Sequence, residues 1–175
     1  MRITGGKYKG RKVAVSNYFK SRPTTDFAKE GLFNILSNHF DFESVVFLDL
    51  FTATGSIGLE MVSRGCSDAE LVDSERQLIR HLKILFGELG EKGIRPVNAD
   101  VFDFIKICRK NYDIVFADPP YNLKRLADLP DAVLNREILK PGGWFILEHP
   151  GSCDFSEHPL FSDTRKYGDV HFTFF

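Results

Sequence analysis

Short, unbroken apolar runs recur along this chain, and longer amphipathic stretches separate them. Val45-Val46-Phe47-Leu48, Ala69 to Val72, Ile94 to Val97, Ile114 to Ala117 and Trp144 to Leu147 have the pattern of strands covered on both faces. The intervening segments, at about 56–64, 75–89, 100–109 and 125–138, have the length of helical crossovers between neighbouring parallel strands. An α/β fold follows, with a sheet packed between helices. Two last strand-like pieces, about 164–167 and 170–175, meet at Gly168-Asp169 and predict a terminal antiparallel hairpin, which brings the strands to seven.

The charge is uneven. Residues 1–22 carry Arg2, Lys7, Lys9, Arg11, Lys12, Lys20 and Arg22 with no acid, while the remainder holds 16 basic against 24 acidic residues and the whole chain has a net charge of −1. That balance excludes a uniformly basic nucleic-acid binder and describes a basic arm, 1–22, joined to an acidic body, 23–175, in a single domain. The arm reads as a small hairpin: a strand from Arg2 to Thr4, a Gly5-Gly6 turn and a second strand near Lys12 to Val15. After Arg22-Pro23, Asp26 reads as the N-cap of a helix whose apolar positions Phe27, Leu32, Phe33, Ile35 and Leu36 should pack on the body. Neither a secretory signal nor a membrane-spanning run is present, so a cytoplasmic protein is expected. Cys66, Cys108 and Cys153 are spaced for neither a disulfide framework nor a zinc site and read as packing residues; no metal is expected.

The acids carry the first functional signal. Asp49, Asp73, Asp100 and Asp118 each fall at or just after the end of an apolar run. In an open parallel sheet, ligands bind beyond the carboxyl ends of the strands. A lone Asp there is an ordinary strand exit or helix cap; four in register define a rim. After the first run comes Asp49-Leu50-Phe51-Thr52-Ala53-Thr54-Gly55-Ser56-Ile57-Gly58, a small-residue loop that reads as a degenerate dinucleotide fingerprint. Asp49 disfavours an anionic pyrophosphate there and suits a ligand presenting an ammonium group, as S-adenosylmethionine does. Its ribose diol would donate to Asp73 and its adenine amine to Asp100.

Asp118-Pro119-Pro120-Tyr121 is the sharpest motif. Two prolines fix the backbone so that the Pro119 carbonyl stands beside the Asp118 carboxylate as a second acceptor. The two acceptors would grip an exocyclic nucleobase amine and favour a more pyramidal nitrogen, while Tyr121 offers a face for an unstacked base. Read blandly, the same residues make a rigid turn leaving a strand.

In these motifs the chain resembles the RsmD-type family of class I S-adenosylmethionine-dependent methyltransferases, which act on N2 of a guanine in small-subunit ribosomal RNA. MRITGGKYKGRK, RPTTDFAKEGLFNIL, DLFTATGSIGLE, DPPY and RKYGDVHFTFF carry the likeness over nearly the whole chain. The resemblance implies a Rossmann-like, seven-stranded, mostly parallel sheet with a terminal antiparallel hairpin. It implies a cofactor site lined by Asp49, Phe51, Ala53, Gly55, Asp73 and Asp100, with their neighbours Ser74 and Val101, and a catalytic Asp118, Pro119, Pro120 and Tyr121. Lys7, Lys9, Arg11, Lys12 and Arg22 are the RNA-contact candidates. Tyr8, Tyr18 and Phe19 read better as packing residues of the arm. With so small an arm, recognition by a monomer would draw on an assembling ribosomal particle.

Two positions depart from the family's usual pattern: Ala53 stands where glycine is common and Asp73 where Glu is common. Three alternatives stay open at this level: an adenine-N6 methyltransferase, an NAD-dependent oxidoreductase, and a non-catalytic RNA-binding module that kept the fold.

Overall fold

The computed structural model describes residues 2–11, 13 and 25–175. Seven strands form one sheet in the order β3-β2-β1-β4-β5-β7-β6: β1 Val46–Leu50, β2 Asp68–Asp73, β3 Ile94–Asn98, β4 Tyr112–Ala117, β5 Leu139–Pro150, β6 Asp163–Tyr167 and β7 Val170–Phe174. The pairs from β3 through β5 are parallel, and β7 is antiparallel to both β5 and β6. The chain runs outward from β1 to β2 and β3, then returns to place β4 on the other side of β1. The resulting crevice at the carboxyl ends of β1 and β4 is where an open α/β sheet receives a ligand.

Helices α1 Asp26–Ser37, α2 Ser56–Ser63 and α3 Arg76–Glu88 cover one face, and α4 Val101–Ile107 and α5 Leu129–Leu134 cover the other. The twofold side-chain alternation of a strand explains the continuous apolar runs: in β1, Phe47 enters the first layer while Leu48 and Leu50 enter the second. On the first face, α2 comes close to β1. An added Cβ at Gly58 would stand 2.5 Å from Leu71 Cδ2 and 3.4 Å from Asp49 Oδ2, so the absence of a side chain sets that approach.

Several elements differ from the sequence expectation. Thr25, not Asp26, is the N-cap of α1, its hydroxyl accepting from Ala28 N–H at 3.2 Å; Asp26 is the first helical residue, where its charge suits the helix dipole. Phe27 is 69% exposed and meets Tyr167 edge-on, while Leu32, Phe33 and Leu36 are buried as expected. The helix expected over 125–138 shrinks to a 3-10 turn, Leu126–Asp128, and the six-residue α5, which begins around Pro130. β5 starts well before Trp144: Tyr112 pairs with Leu139 and Ile114 with Trp144, so Lys140–Gly143 bulge out of register. In the arm, a single bridge at Arg2 replaces the expected strand, although Ile3 N–H donates to Arg11 carbonyl and Gly10 N–H to Ile3 carbonyl. The second arm strand, Tyr18, Phe19, Lys12 and Arg22 fall wholly or mostly outside the described residues. Cys66 is buried, with its thiol pushed up to about 11 by burial; Cys108 and Cys153 are half-buried. Among the described residues no helix is long and apolar enough to cross a membrane.

Candidate active site

The loop between β1 and α2 carries backbone strain. Phe51 and Ala53 have φ of 60° and 46°, the left-handed region that costs a side-chain-bearing residue about 1–2 kcal/mol. Thr52 N–H donates to Val72 carbonyl at 3.0 Å, and Gly55 N–H to Thr52 carbonyl at 2.7 Å. Asp73 then braces the bend: its Oδ2 accepts from Ala53 N–H at 2.9 Å and its Oδ1 from Glu75 N–H at 2.8 Å. One carboxylate thus ties the loop after β1 to the loop after β2. Such strain persists only where the surroundings over-determine it, as at ligand sites.

Asp49 lies at the floor of this loop, 2% exposed. Thr52 Oγ1 donates to its Oδ2 at 2.7 Å, and the Gly58 backbone N–H bonds to the same carboxylate. Burial pushes its carboxyl up to about 7; the charges of Asp118 and Asp73 add to that, and the Thr52 and Gly58 hydrogen bonds oppose it. Asp118 follows β4 directly, its N–H donating to Leu50 carbonyl at 3.3 Å, and burial pushes its carboxyl to about 7 as well. Both groups therefore have protonation equilibria near neutrality, and a cation placed between them would restore their charge.

The turn after Asp118 carries the chain outward. Pro119 is buried, Pro120 is exposed, and Tyr121 is 52% exposed. The Pro120 carbonyl accepts from Leu123 N–H at 2.8 Å. Of the remaining cofactor candidates, Gly55 is buried and ends the loop as the N-cap of α2. Phe51 packs partly into the α4 and α5 side of the core. Ser74 is exposed, with its carbonyl accepting from Asn98 Nδ2 at 2.8 Å. Asp100 is exposed and caps α4 through Oδ1, accepting from Asp103 N–H at 3.1 Å. Val101 is the first residue of α4, directly after Asp100, with its side chain buried in the apolar core.

The described arm candidates lie apart from this rim. Lys7 pairs with Glu91 at 2.6 Å, and the backbone N–H groups of Lys7 and Tyr8 bond to Ser63, at the far end of α2 from the loop. Eight helical residues put that end about 10 Å below the rim. Lys9 and Arg11 are exposed, and Tyr8 packs on the core as expected.

Sequence reading passed over Glu148. It follows Leu147, the partner of Ala117, as Asp118 follows Ala117. It also pairs with Phe172 on the α1–α3 face and is buried. Its signal was available: an acid directly after the fifth apolar run, as after the first, second and fourth. A separate cavity of about 450 Å³, lined by Ile35, His39, Trp144 and Phe174 among others, opens at the amino end of β5's central run and takes no part in this arrangement.

A family model described as conserved hypothetical protein 95 matches residues 1–175. Ribosomal RNA small subunit methyltransferase D of Buchnera aphidicola subsp. Baizongia pistaciae is 26% identical over 179 aligned residues, covering 100% of this chain and 91% of its own. The protein of the same name from Escherichia coli K12 is 33% identical over 144 residues, 82% of this chain and 69% of its own. Among solved structures, a hypothetical protein of Thermus thermophilus is 30% identical, with a TM-score of 0.87 over 99% of this chain and 98% of that one.

Proposed function

Given that the chain belongs to the conserved hypothetical protein 95 family, that of ribosomal RNA small subunit methyltransferase D, we propose that it methylates the exocyclic N2 amine of a guanine in small-subunit ribosomal RNA, with S-adenosylmethionine as donor. The observation that carries this reading is the placement of Asp49 and Asp118 at the carboxyl ends of neighbouring β1 and β4, beside a strained loop and a proline-fixed turn.

The residues fit the cofactor by charge. Asp118 and Asp73 both push the Asp49 carboxyl up, so the site favours a cationic group and disfavours the pyrophosphate of a dinucleotide. Asp49 would hold the ammonium end, the loop from Phe51 to Gly55 would lie along the ligand, and Asp73 would accept from ribose hydroxyls with the lone pairs its backbone bonds leave over. Bound S-adenosylmethionine supplies an electrophilic methyl group on sulfur.

The chain's own residues do the rest. Asp118 and the Pro119 carbonyl accept the two amine N–H groups and aim the nitrogen lone pair. Tyr121 offers its exposed ring to the unstacked base, an interaction typically worth about 1–3 kcal/mol. The nitrogen loses one proton as it becomes methylated, and Asp118, pushed up to about 7, is matched to take it near neutral pH.

Glu148 would favour guanine over adenine. Guanine presents a donor, N1–H, beside its N2 amine, whereas adenine presents an acceptor at N1 beside its N6 amine. The strand register puts Glu148 one strand over from Asp118, where a carboxylate would accept from the first and repel the second.

The test is methyl transfer from labelled S-adenosylmethionine into small-subunit ribosomal RNA, followed by digestion to nucleosides. N2-methylguanosine is the expected product. N6-methyladenosine would overturn the base assignment, and binding of RNA and cofactor without transfer would favour a non-catalytic module.

A further inference from the structure

Residues 2–8 of the arm run along α2 from its first residue to its last. At the loop end, Lys29 Nζ of α1 donates to the Arg2 carbonyl and lies 3.5 Å from Ser56 Oγ and 3.7 Å from Glu60 Oε2. Glu60 accepts from Thr4 N–H at 2.9 Å, from Thr4 Oγ1 at 2.8 Å and from Arg64 Nε at 3.0 Å. At the other end, Ser63 Oγ accepts from Tyr8 N–H at 2.9 Å and donates to the Gly5 carbonyl, while Lys7 N–H donates to the Ser63 carbonyl at 2.6 Å. The contact is too close for a side chain at Gly6, where an added Cβ would stand 1.8 Å from the Ser63 oxygen.

The Lys29 side chain is 2% exposed and Glu60 is 0% exposed. A buried ion pair gives little net stability compared with apolar side chains of the same volume, because removing both charges from water offsets their attraction. Adhesion of the arm therefore does not account for these charges. What they supply is direction. The two Thr4–Glu60 bonds fix α2 axially against the arm, Lys29 ties the Arg2 carbonyl to Ser56 and Glu60, and the first turn of α2 holds Asp49 through the Gly58 N–H. From Thr4 to the floor of the cofactor loop the path runs through Glu60, about half a helical turn and one hydrogen bond.

We infer that Lys29 and Glu60 are positioning residues through which the docked arm sets the cofactor loop, so that affinity for the adenosyl ligand depends on arm contacts that never touch it. The inference rests on the reading that this loop holds S-adenosylmethionine, and it adds the determinant of that affinity.

Calorimetric titration with S-adenosylhomocysteine tests it on the full chain and on Thr4→Val, Lys29→Met, Lys29→Arg and Glu60→Gln, each held well below its own Tm. Thr4→Val, Lys29→Met and Glu60→Gln should weaken binding about 3- to 30-fold, the range in which remote positions modulate a site. Lys29→Arg, which keeps the charge but adds bulk at a buried position, should recover part of the affinity that Lys29→Met loses. Variants with lowered Tm and unchanged Kd would reduce the network to a structural brace and overturn the inference, as would unchanged Tm and Kd. If the buried-charge variants do not fold, Thr4→Val alone decides, since it removes one hydroxyl and leaves every charge in place. A wild-type chain that binds no S-adenosylhomocysteine would overturn the cofactor reading together with this inference; a wild type that binds, with variants that bind equally well, overturns this inference alone.

Discussion

The charge of Asp118, at the exit of β4, helps push the Asp49 carboxyl on neighbouring β1 up to about 7, on top of the larger effect of burial. In the unfolded chain Asp49 titrates near the ordinary carboxylate value of about 4. Between those two pH values the folded protein keeps a proton that the unfolded chain has lost. The stabilising contribution is therefore complete below about pH 4 and fades as pH rises through about 7. Asp49→Asn removes this residue's share of the dependence while keeping the shape, and Asp118's share remains. The variant's Tm relative to wild type should climb between pH 5 and pH 8 and then level, measured by thermal melts across that range. Affinity for S-adenosylhomocysteine should run the opposite way in wild type, rising with pH through about 7 as the ammonium partner ionises, and the Asp49→Asn substitution should flatten that rise. A Tm difference independent of pH would show that Asp49 is ionised throughout.

Ala53 holds φ at 46° with its N–H on Asp73. Glycine adopts that conformation without steric cost, so Ala53→Gly should stabilise the fold by up to ~1 kcal/mol and leave S-adenosylhomocysteine affinity equal or better. Valine is β-branched and resists the same φ. Ala53→Val should weaken binding about tenfold or more. Equal affinity in all three proteins, by calorimetry, would place the loop away from the ligand.

Lys9 and Arg11 are exposed, whereas Lys7 is held by Glu91 and its charge is partly neutralised there. Charge reversal at Lys9 and Arg11 together should lower affinity for small-subunit ribosomal RNA about 5- to 50-fold near 0.1 M salt and flatten the salt dependence, because fewer counterions are released on binding. Lys7→Glu should do less. S-adenosylhomocysteine affinity should not change in the double variant. RNA affinity that survives the double reversal, in filter binding at two salt concentrations, would remove the described arm from the interface.

The five central strands were legible because burial on both faces leaves continuous apolar runs, and the rim acids because each ended such a run. What escaped was tertiary. β5 reads as four residues because Pro141-Gly142-Gly143 looks like a turn, and only pairing with Tyr112 shows that Leu139 already belongs to the strand. Phe27 fits a helical stripe, yet among the described residues it is largely exposed and meets only the edge of Tyr167. Lys29 and Glu60 sit on helices far apart in the sequence, and only the folded arm brings them together with Arg2 and Thr4. Asp26 and Thr25 are both good caps, and the choice between them turns on which backbone leaves the helix first.

Glu148 ends the fifth apolar run, but the histidine and proline that follow it make the segment resemble a loop although it continues β5 as far as Pro150. If it accepts guanine N1–H beside Asp118, Glu148→Gln replaces a charged acceptor with a neutral one that also carries a donor. A hydrogen bond to a charged group is worth about 1.5–3 kcal/mol, so kcat/KM on guanine should fall about 10- to 100-fold. Affinity for S-adenosylhomocysteine should stay within about twofold, since Glu148 is placed for the base and Asp49 for the cofactor. Discrimination against adenine should relax in the same variant, because glutamine's amide can donate to adenine N1 where the carboxylate repels it. Competition between guanine- and adenine-bearing RNA oligonucleotides of one sequence reads both effects at once. A variant with unchanged preference, or one whose loss appears only in cofactor binding, would take Glu148 out of base recognition and leave Asp118 and Pro119 to select the amine alone.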